Sequence, residues 1–398
     1  MSRVISATFS LMMGAIFAAI FGIIAGAAPP AQAQDGVTCD DPFDGPRPQI
    51  TRGWPETDFC QRNIEFNEVR SGGVGRDGIP PIDEPVFTDV VEASQTLQPQ
   101  SPVIALEIDG DARAYPLEIL TWHEIVNDVV GDQPVAVTYC PLCNSAIVFD
   151  RVVDGDTLRF GVSGLLRNSD LVMWDSRTSS WWQQITGEGL VGYYTDTVLE
   201  ILPSVVAAFA DFAEQYPDGQ VLTRDTGYTR SYGQNPYVGY DSSQRPFLFD
   251  GDVDERLPAL AHVLGGLVMD TAVAYPYAEL AQVGVVNDTI ADQPVVAIWQ
   301  GGVPSALDGA SINDSRDVGT AALYSRLLDD GTVLDFYLDD EGVVRDEQTD
   351  SAWNQFGQAT AGELEGTRLF MEIGGPHFWF AWAAFRPETT VWFADDES

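Results

Sequence analysis

The sequence predicts a β-rich α+β fold made of two tandem degenerate repeats of one module, packed as a pseudo-symmetric pair. Three observations carry that expectation: short apolar runs joined by Asp-Gly turns, few stretches of helical periodicity, and one set of words that occurs twice. Ala114-Tyr115-Pro116 returns as Ala274-Tyr275-Pro276. Asn127-Asp128 with Asp132-Gln133-Pro134-Val135 returns as Asn287-Asp288 with Asp292-Gln293-Pro294-Val295. The offset is 275 − 115 = 160, without a gap. Further on, Asp175, Thr178, Ser180, Trp182 and Gln184 return as Asp346, Thr349, Ser351, Trp353 and Gln355, so an insertion has moved the offset to 346 − 175 = 171. Pro217 and Val221 match Pro387 and Val391. Letters kept in both copies read as scaffold, and reactive letters kept in one read as candidates for function. Opposite His123, Cys140 and Cys143 the 160-residue offset places Val283, Gln300 and Val303, which points to the first copy as the active one.

The 398 residues, 45% hydrophobic and 11% aromatic, suffice for real cores. Arg3, an apolar run from Val4 to about Ala28, and Ala31-Gln32-Ala33 describe a secretory leader over residues 1–33, preferred to an uncleaved anchor because prolines and small residues crowd its exit. No cysteine marks a lipoprotein there, and no later run is long and apolar enough to span a bilayer. All 20 basic residues are Arg against 60 acidic ones, a formal charge of −40. Such a surface repels nucleic acid and anionic membranes and suits an exported, periplasmic or extracellular protein in saline water. A calcium-loaded surface is less favoured, since no EF-hand spacing occurs.

Along the chain, residues 34–98 form a loop-rich segment in which Cys39 and Cys60 are expected to make a disulfide, as an oxidising compartment favours. The first module spans 99–224. Val103 to Ile108 and Ala112 to Tyr115 flank Asp109-Gly110-Asp111 as a hairpin, Pro116 to Val126 reads as a short helix carrying His123, and Val135 to Tyr139 as a buried strand ending at Cys140. Ala146 to Val152 and Thr157 to Val162 flank Asp154-Gly155-Asp156 as a second hairpin. Leu171 to Trp174 and Trp181 to Ile185 are strand-like, and Ser204 to Tyr216 reads as an amphipathic helix stopped by Pro217-Asp218-Gly219. A Tyr- and Gly-rich connection, 225–260, has too many aromatics to stay in water and is expected to pack on the modules. The second module covers 261–398, with Phe378 to Phe385 matching the helix of the first.

Cys140-Pro141-Leu142-Cys143 is the sharpest chemical feature. A thioredoxin-like pair would open a helix whose N-terminus lowers a thiol pKa. Here a hairpin pattern follows, which favours a metal knuckle with Asn144 taking a left-handed backbone where Gly would be more usual. His123 is the expected third ligand, because it is missing from the copy that lacks both cysteines, and Met173 is a candidate sulfur donor. Glu124 is read as a solvated carboxylate with a possible supporting role, His262 as packed, and His377 as a candidate to face the site across the module interface. No nucleophile elbow, Walker loop, dinucleotide fingerprint or His-Glu-x-x-His helix occurs, which excludes the commonest hydrolase and nucleotide enzymes.

Trp122-His123-Glu124-Ile125-Val126-Asn127-Asp128, Val137-Thr138-Tyr139-Cys140-Pro141-Leu142-Cys143 and Ser163-Gly164-Leu165-Leu166-Arg167-Asn168-Ser169-Asp170 resemble the DUF3179 family, exported proteins without a known function. The resemblance continues through Met173, Asp175, Trp182 and Glu188 to Tyr216-Pro217, Tyr232 and Pro236-Tyr237, and it implies no activity. From the residues, the leading expectation is an exported protein holding copper or zinc through His123, Cys140, Cys143 and Met173. The alternatives are a thiol–disulfide oxidoreductase using Cys140 and Cys143, and a structural or adhesive protein with a small disulfide loop. Catalytic residues and the partner are not legible.

Overall fold

Gly, Pro and Asp punctuate the chain every few residues, so β-branched runs form strands while helices stay short. The structure is a computed structural model that describes residues 39, 42–43 and 45–394; the expected leader lies outside them. Among the described residues no α-helix exceeds seven residues, and no helix is long and apolar enough to cross a membrane. Cys39 and Cys60 are disulfide-bonded, while Cys140 and Cys143 are free thiols.

Strands β1 (Pro102–Ile108) and β2 (Asp111–Pro116) form the expected hairpin, with Val103 opposite Pro116. Its turn holds Asp109 and Gly110 at φ 52° and 86°, the two left-handed conformations of a type I′ turn. Helix α1 (Leu117–His123) follows. Strands β3 (Ile125–Val130), β4 (Gln133–Cys140) and β5 (Ser145–Asp150) then run as an antiparallel meander. A second sheet contains β6 (Phe160–Arg167), β7 (Asp170–Asp175) and β8 (Trp181–Gln183). Strand β9 (Val205–Ala208) pairs with β1 and leads into helix α2 (Phe209–Gln215).

Two local expectations are corrected here. The Asp154-Gly155 turn joins arms of only two residues, Val152–Val153 and Asp156–Thr157; the longer strands on either side pair with β4 and with β7, in different sheets. The Arg151 guanidinium marks the crossing, donating to the carbonyls of Leu158 and Asp128. The helix expected from Ser204 begins only at Phe209, because Val205 and Val206 satisfy their backbone in the ladder with β1 and β-branched residues favour that state.

The second half contains β10 (His262–Val268), β11 (Thr271–Pro276), α3 (Tyr277–Val283), β12 (Val285–Ile290) and β13 (Gln293–Gln300). Val263 faces Pro276 and Val285 faces Ile298, each pair 160 residues beyond Val103–Pro116 and Ile125–Thr138. Strand β14 (Thr320–Ser325) pairs with β13, Gln300 facing Thr320. In the first half Cys140 faces Ser145 directly. A loop over 301–319 therefore stands where the first half has only the turn 141–144, the offset of 160 ends at Gln300, and Val303 is not the positional counterpart of Cys143. Strands β15 (Val344–Asp346), β16 (Ala352–Trp353) and β17 (Ile373–Phe378) and helix α4 (Trp379–Phe385) complete this half, with β17 paired to β10.

The letters shared by the two halves make the same hydrogen bonds. Tyr115 donates to Asp128 at 2.6 Å and Tyr275 to Asp288 at 2.8 Å. Asn127 grips both backbone groups of Phe160, as Asn287 grips those of Phe336. The indoles of Trp182 and Trp353 donate to Asp175 and Asp346 at 3.0 and 2.9 Å. These side chains tie one strand or turn to the next, which leaves their backbone and polar atoms satisfied inside the protein.

The main core lies in the first half, around Tyr115, Leu120, Val137, Phe149, Phe160 and Trp182, and it takes in Phe378, Phe380 and Ala381 from the second. Tyr232, Tyr237, Tyr240 and Phe249 of the connecting segment pack on it as expected. At the junction the Phe378 N–H donates to the Cys143 carbonyl at 2.7 Å.

Asp128 also receives two bonds of 2.8 Å from Arg113, whereas the residue at that place in the second half is Val273. Asp128→Asn should therefore cost about 2 kcal/mol, leaving the Arg113 guanidinium with Asp111 as its one remaining carboxylate, and Asp288→Asn about 1 kcal/mol. Urea denaturation midpoints of the two variants would check the ranking.

Candidate functional site

Strand β4 is buried over its last six residues and delivers Cys140 into the core. Pro141 lacks an N–H and so does not prolong the ladder. The turn closes through Cys143 N to the Cys140 carbonyl at 3.2 Å and Asn144 N to the Pro141 carbonyl at 3.3 Å. Asn144 takes φ 47°, the left-handed backbone expected of it. Its side chain accepts from the Tyr139 hydroxyl at 2.9 Å and approaches His262 Nδ1 at 3.3 Å. An amide nitrogen only donates, so His262 Nδ1 accepts, and Nε2 carries the proton that faces Asp241 at 3.4 Å. Burial alone would raise the Asp241 carboxyl, but hydrogen bonds from His262 and Ser305 and the charge of Arg316 outweigh it and hold it at about 2. His262 is thus a support of the turn.

Both sulfurs and a carboxylate oxygen of Asp170 lie within 4.8 Å of one another, all three residues buried. Asp170 opens β7 behind Asn168 and Ser169, which turn the chain at φ 50° and 68°. Its Oδ2 accepts from Gln183 Nε2 at 2.6 Å and from Ile185 N at 3.0 Å. Its Oδ1 is buried with no hydrogen-bond partner. Burial raises this carboxyl to about 6 in spite of the bonds that favour its charged form.

Glu124 completes the group electrostatically and is buried, not solvated as the sequence suggested. It caps α1 at φ 60°, where the second half has Gly284 at φ 73°. A side chain in that conformation costs about 1–2 kcal/mol, so the first half carries strain that the second relieves with glycine. Burial, then the charge of Asp170, raises the Glu124 carboxyl to about 8. Burial likewise pushes both thiols up, Cys143 well above its ordinary value, with hydrogen bonding to Cys140 adding to the rise. Near neutral pH the two thiols and Glu124 therefore hold their protons, while Asp170, at about 6, is largely ionised.

His123 is not in this group. Its Nδ1 lies 2.6 Å from the Pro80 carbonyl and its Nε2 2.7 Å from the Tyr232 hydroxyl. A carbonyl only accepts, so Nδ1 carries the proton and Nε2 accepts from Tyr232, whose oxygen also meets Thr226 at 2.6 Å. With both nitrogens engaged, the histidine latches the Tyr-rich segment to α1, and Asp170 stands where the sequence reading put His123. Arg224 on Glu118, at 2.6 Å, makes a second latch. The latched segment reaches the site: Tyr240 donates to the Leu142 carbonyl at 2.9 Å, and the Tyr237 hydroxyl feels the charges of Glu124 and Cys140. Met173 is fully buried opposite Val162 and Trp182, in the same core cluster as the cysteines. His377 lies on β17 opposite Val263, outside the thiol group.

A β-rich fold with a buried dithiol–carboxylate cluster in its first half defines the class of protein. A family model described as "Protein of unknown function (DUF3179)" matches residues 76–389, and the chain belongs to that family. No curated protein and no solved structure matches it.

Removing the His123 latch should uncover the thiols. His123→Ala is expected to speed native-state labelling of Cys140 and Cys143 by a thiol reagent at least about tenfold, with the unfolded-state rate unchanged. Glu124 has a pH signature as well. Its folded pKa of about 8 lies above the 4.5 of the free side chain, so between those values the native state binds more protons and stability falls as pH rises. Relative to the parent, metal-free Glu124→Gln should gain on the order of 4 kcal/mol between pH 4.5 and pH 8. Denaturation at the two pH values checks it.

Proposed function

We propose that this chain is an exported protein that binds one borderline-soft metal ion through Cys140, Cys143 and Asp170, with Glu124, whose charge couples to Asp170 and Cys140, as a further candidate donor. The observation that carries the reading is the Asp170 Oδ1 atom, buried without a partner, on a residue that presents a carboxylate oxygen within 4.8 Å of two free thiols. A buried carboxylate is stabilised by a cation or by hydrogen bonds, and the only protein groups that face this oxygen as donors are the two thiols. Two thiolates with carboxylates fit zinc better than copper, since copper in soft sites favours sulfur and imidazole, and His123 is engaged elsewhere. Met173, in the same core cluster, is the donor that would shift the preference back to copper. The redox alternative needs an accessible thiol of lowered pKa, and burial with raised thiols speaks against it.

We infer in addition that the leader over 1–33 directs export, that residues 99–224 and 261–398 are degenerate copies of one module, and that 225–260 is the segment that covers the site. The equal registers at an offset of 160 support duplication. Pseudo-symmetric packing is supported by the bonds of Phe378 N to Cys143 O and of Thr320 Oγ1 to Val206 O, which link each half to the other.

Titrating the reduced, metal-free full chain with zinc or cobalt should give one ion per chain, with two protons or more released and affinity rising with pH. Asp170→Asn and Cys143→Ser are each expected to weaken zinc binding at least about 100-fold, and His123→Ala less than about threefold. Absence of saturable binding, or binding insensitive to Asp170, would overturn the reading.

A further inference from the structure

The second half has a place equivalent to the thiol site, and there it is an open pocket. Strands β9 and β17 hold matching registers, Ala208 facing Pro102 and Phe378 facing His262, so helix α2 corresponds to α4 residue for residue. Helix α4 lays Phe380, Ala381 and Phe385 on the core that contains Cys140. At the same positions α2 carries Ala210, Asp211 and Gln215, and the last two meet the second half through polar atoms. Asp211 Oδ2 accepts from Gln300 Nε2 at 3.1 Å and from Gln355 Nε2 at 2.9 Å. Gln300 ends β13 as Cys140 ends β4, and Gln355 stands where the first half has Gln184. Gln215 accepts from Asn354 at 2.6 Å and donates to Gln358.

With polar side chains in place of apolar ones, these residues wall a pocket of about 520 Å³, a size that takes small molecules. Glu214 and Glu365 stand at its exposed side, and no basic side chain lines it. Both bonds to Asp211 end on Oδ2, which leaves Oδ1 outside them. Burial raises the Asp211 carboxyl; the Gln355 bond works against that rise and the Glu214 charge adds to it. Carboxamides donate and accept, whereas carboxylates only accept. A complementary ligand therefore brings hydroxyls for the amides and a positive charge for the carboxylates. A single metal ion fits less well, since the carboxylates of the pocket do not form a convergent set of three ligand atoms as the thiols and Asp170 do.

We propose that this pocket binds a polyhydroxylated ammonium of monosaccharide size, an amino sugar, with its ammonium at Asp211 and Glu214 and its hydroxyls on Gln215, Gln300 and Gln358. The second half has then exchanged the thiol site for a different binding site at the equivalent place. The pocket does not depend on the thiol cluster, and its failure would leave the metal reading untouched.

The test is calorimetry on the full chain near pH 7 with glucosamine, glucose, N-acetylglucosamine, cyclohexylamine and calcium, followed by Asp211→Asn. One glucosamine per chain is expected, bound at least about tenfold more tightly than the two uncharged sugars or the amine without hydroxyls, a gap of about 1.4 kcal/mol. Asp211→Asn keeps an oxygen for Gln300 and Gln355; it should weaken glucosamine at least about tenfold and leave zinc binding unchanged. The comparison of ligands on the unsubstituted chain decides the matter even if the variant does not fold. Glucosamine bound no more tightly than glucose or cyclohexylamine, no binding at all, calcium bound more tightly than glucosamine, or unchanged glucosamine affinity in a folded Asp211→Asn variant would overturn it.

Discussion

Two thiols and two carboxyls are buried together, and the turns and strands of the first half are arranged around that constraint. Ionising any one of them in the core is expensive, and each ionised neighbour makes the next harder to ionise. The surroundings add no relief: the nearby hydroxyls of Tyr139, Tyr237 and Tyr240 are themselves pushed up, burial first and neighbouring acids second, except that at Tyr240 a bond with Phe247 partly offsets the rise. Such a cluster is a poor nucleophile, and under the proposed function it would exchange its protons for a metal ion.

The two halves share strand registers and differ at a few positions around the thiols. At α1 and α3 the framework is the same, and the difference is Glu124 in place of Gly284 at the cap and His123 in place of Val283 one residue earlier. Beyond β4 and β13 the first half closes with a tight Cys-Pro-Leu-Cys-Asn turn where the second inserts a long loop. The second half then supplies Phe378 and Phe380 to the first half's core and a backbone bond to Cys143, so the turn is held from both sides.

Much of this was legible in the sequence, and what was not has physical reasons. The paired words marked the registers of β1–β2 and β10–β11, the Asp-Gly pairs marked tight turns, and Asn144 announced the left-handed residue after the knuckle. Asp170 was missed because a carboxylate at the mouth of a strand reads as a turn residue; only the folding of β7 over the Cys140 turn turns it inward. His123 reads as a ligand because it is missing from the second half together with the cysteines, and a latch on the covering segment, which its bonds to Pro80 and Tyr232 make it, fits that pattern as readily as a ligand does. Val205–Ala208 reads as helix in the sequence and forms a strand, because an apolar run of that length fits either period until its pairing partner is known.

If the chain holds zinc as proposed, X-ray absorption on the zinc-loaded full chain identifies the atoms around the ion. The expected shell is two sulfurs at about 2.3 Å and oxygens at about 2.0–2.2 Å, with no outer scattering from an imidazole ring. A spectrum with imidazole scattering, or with no sulfur shell, would contradict it.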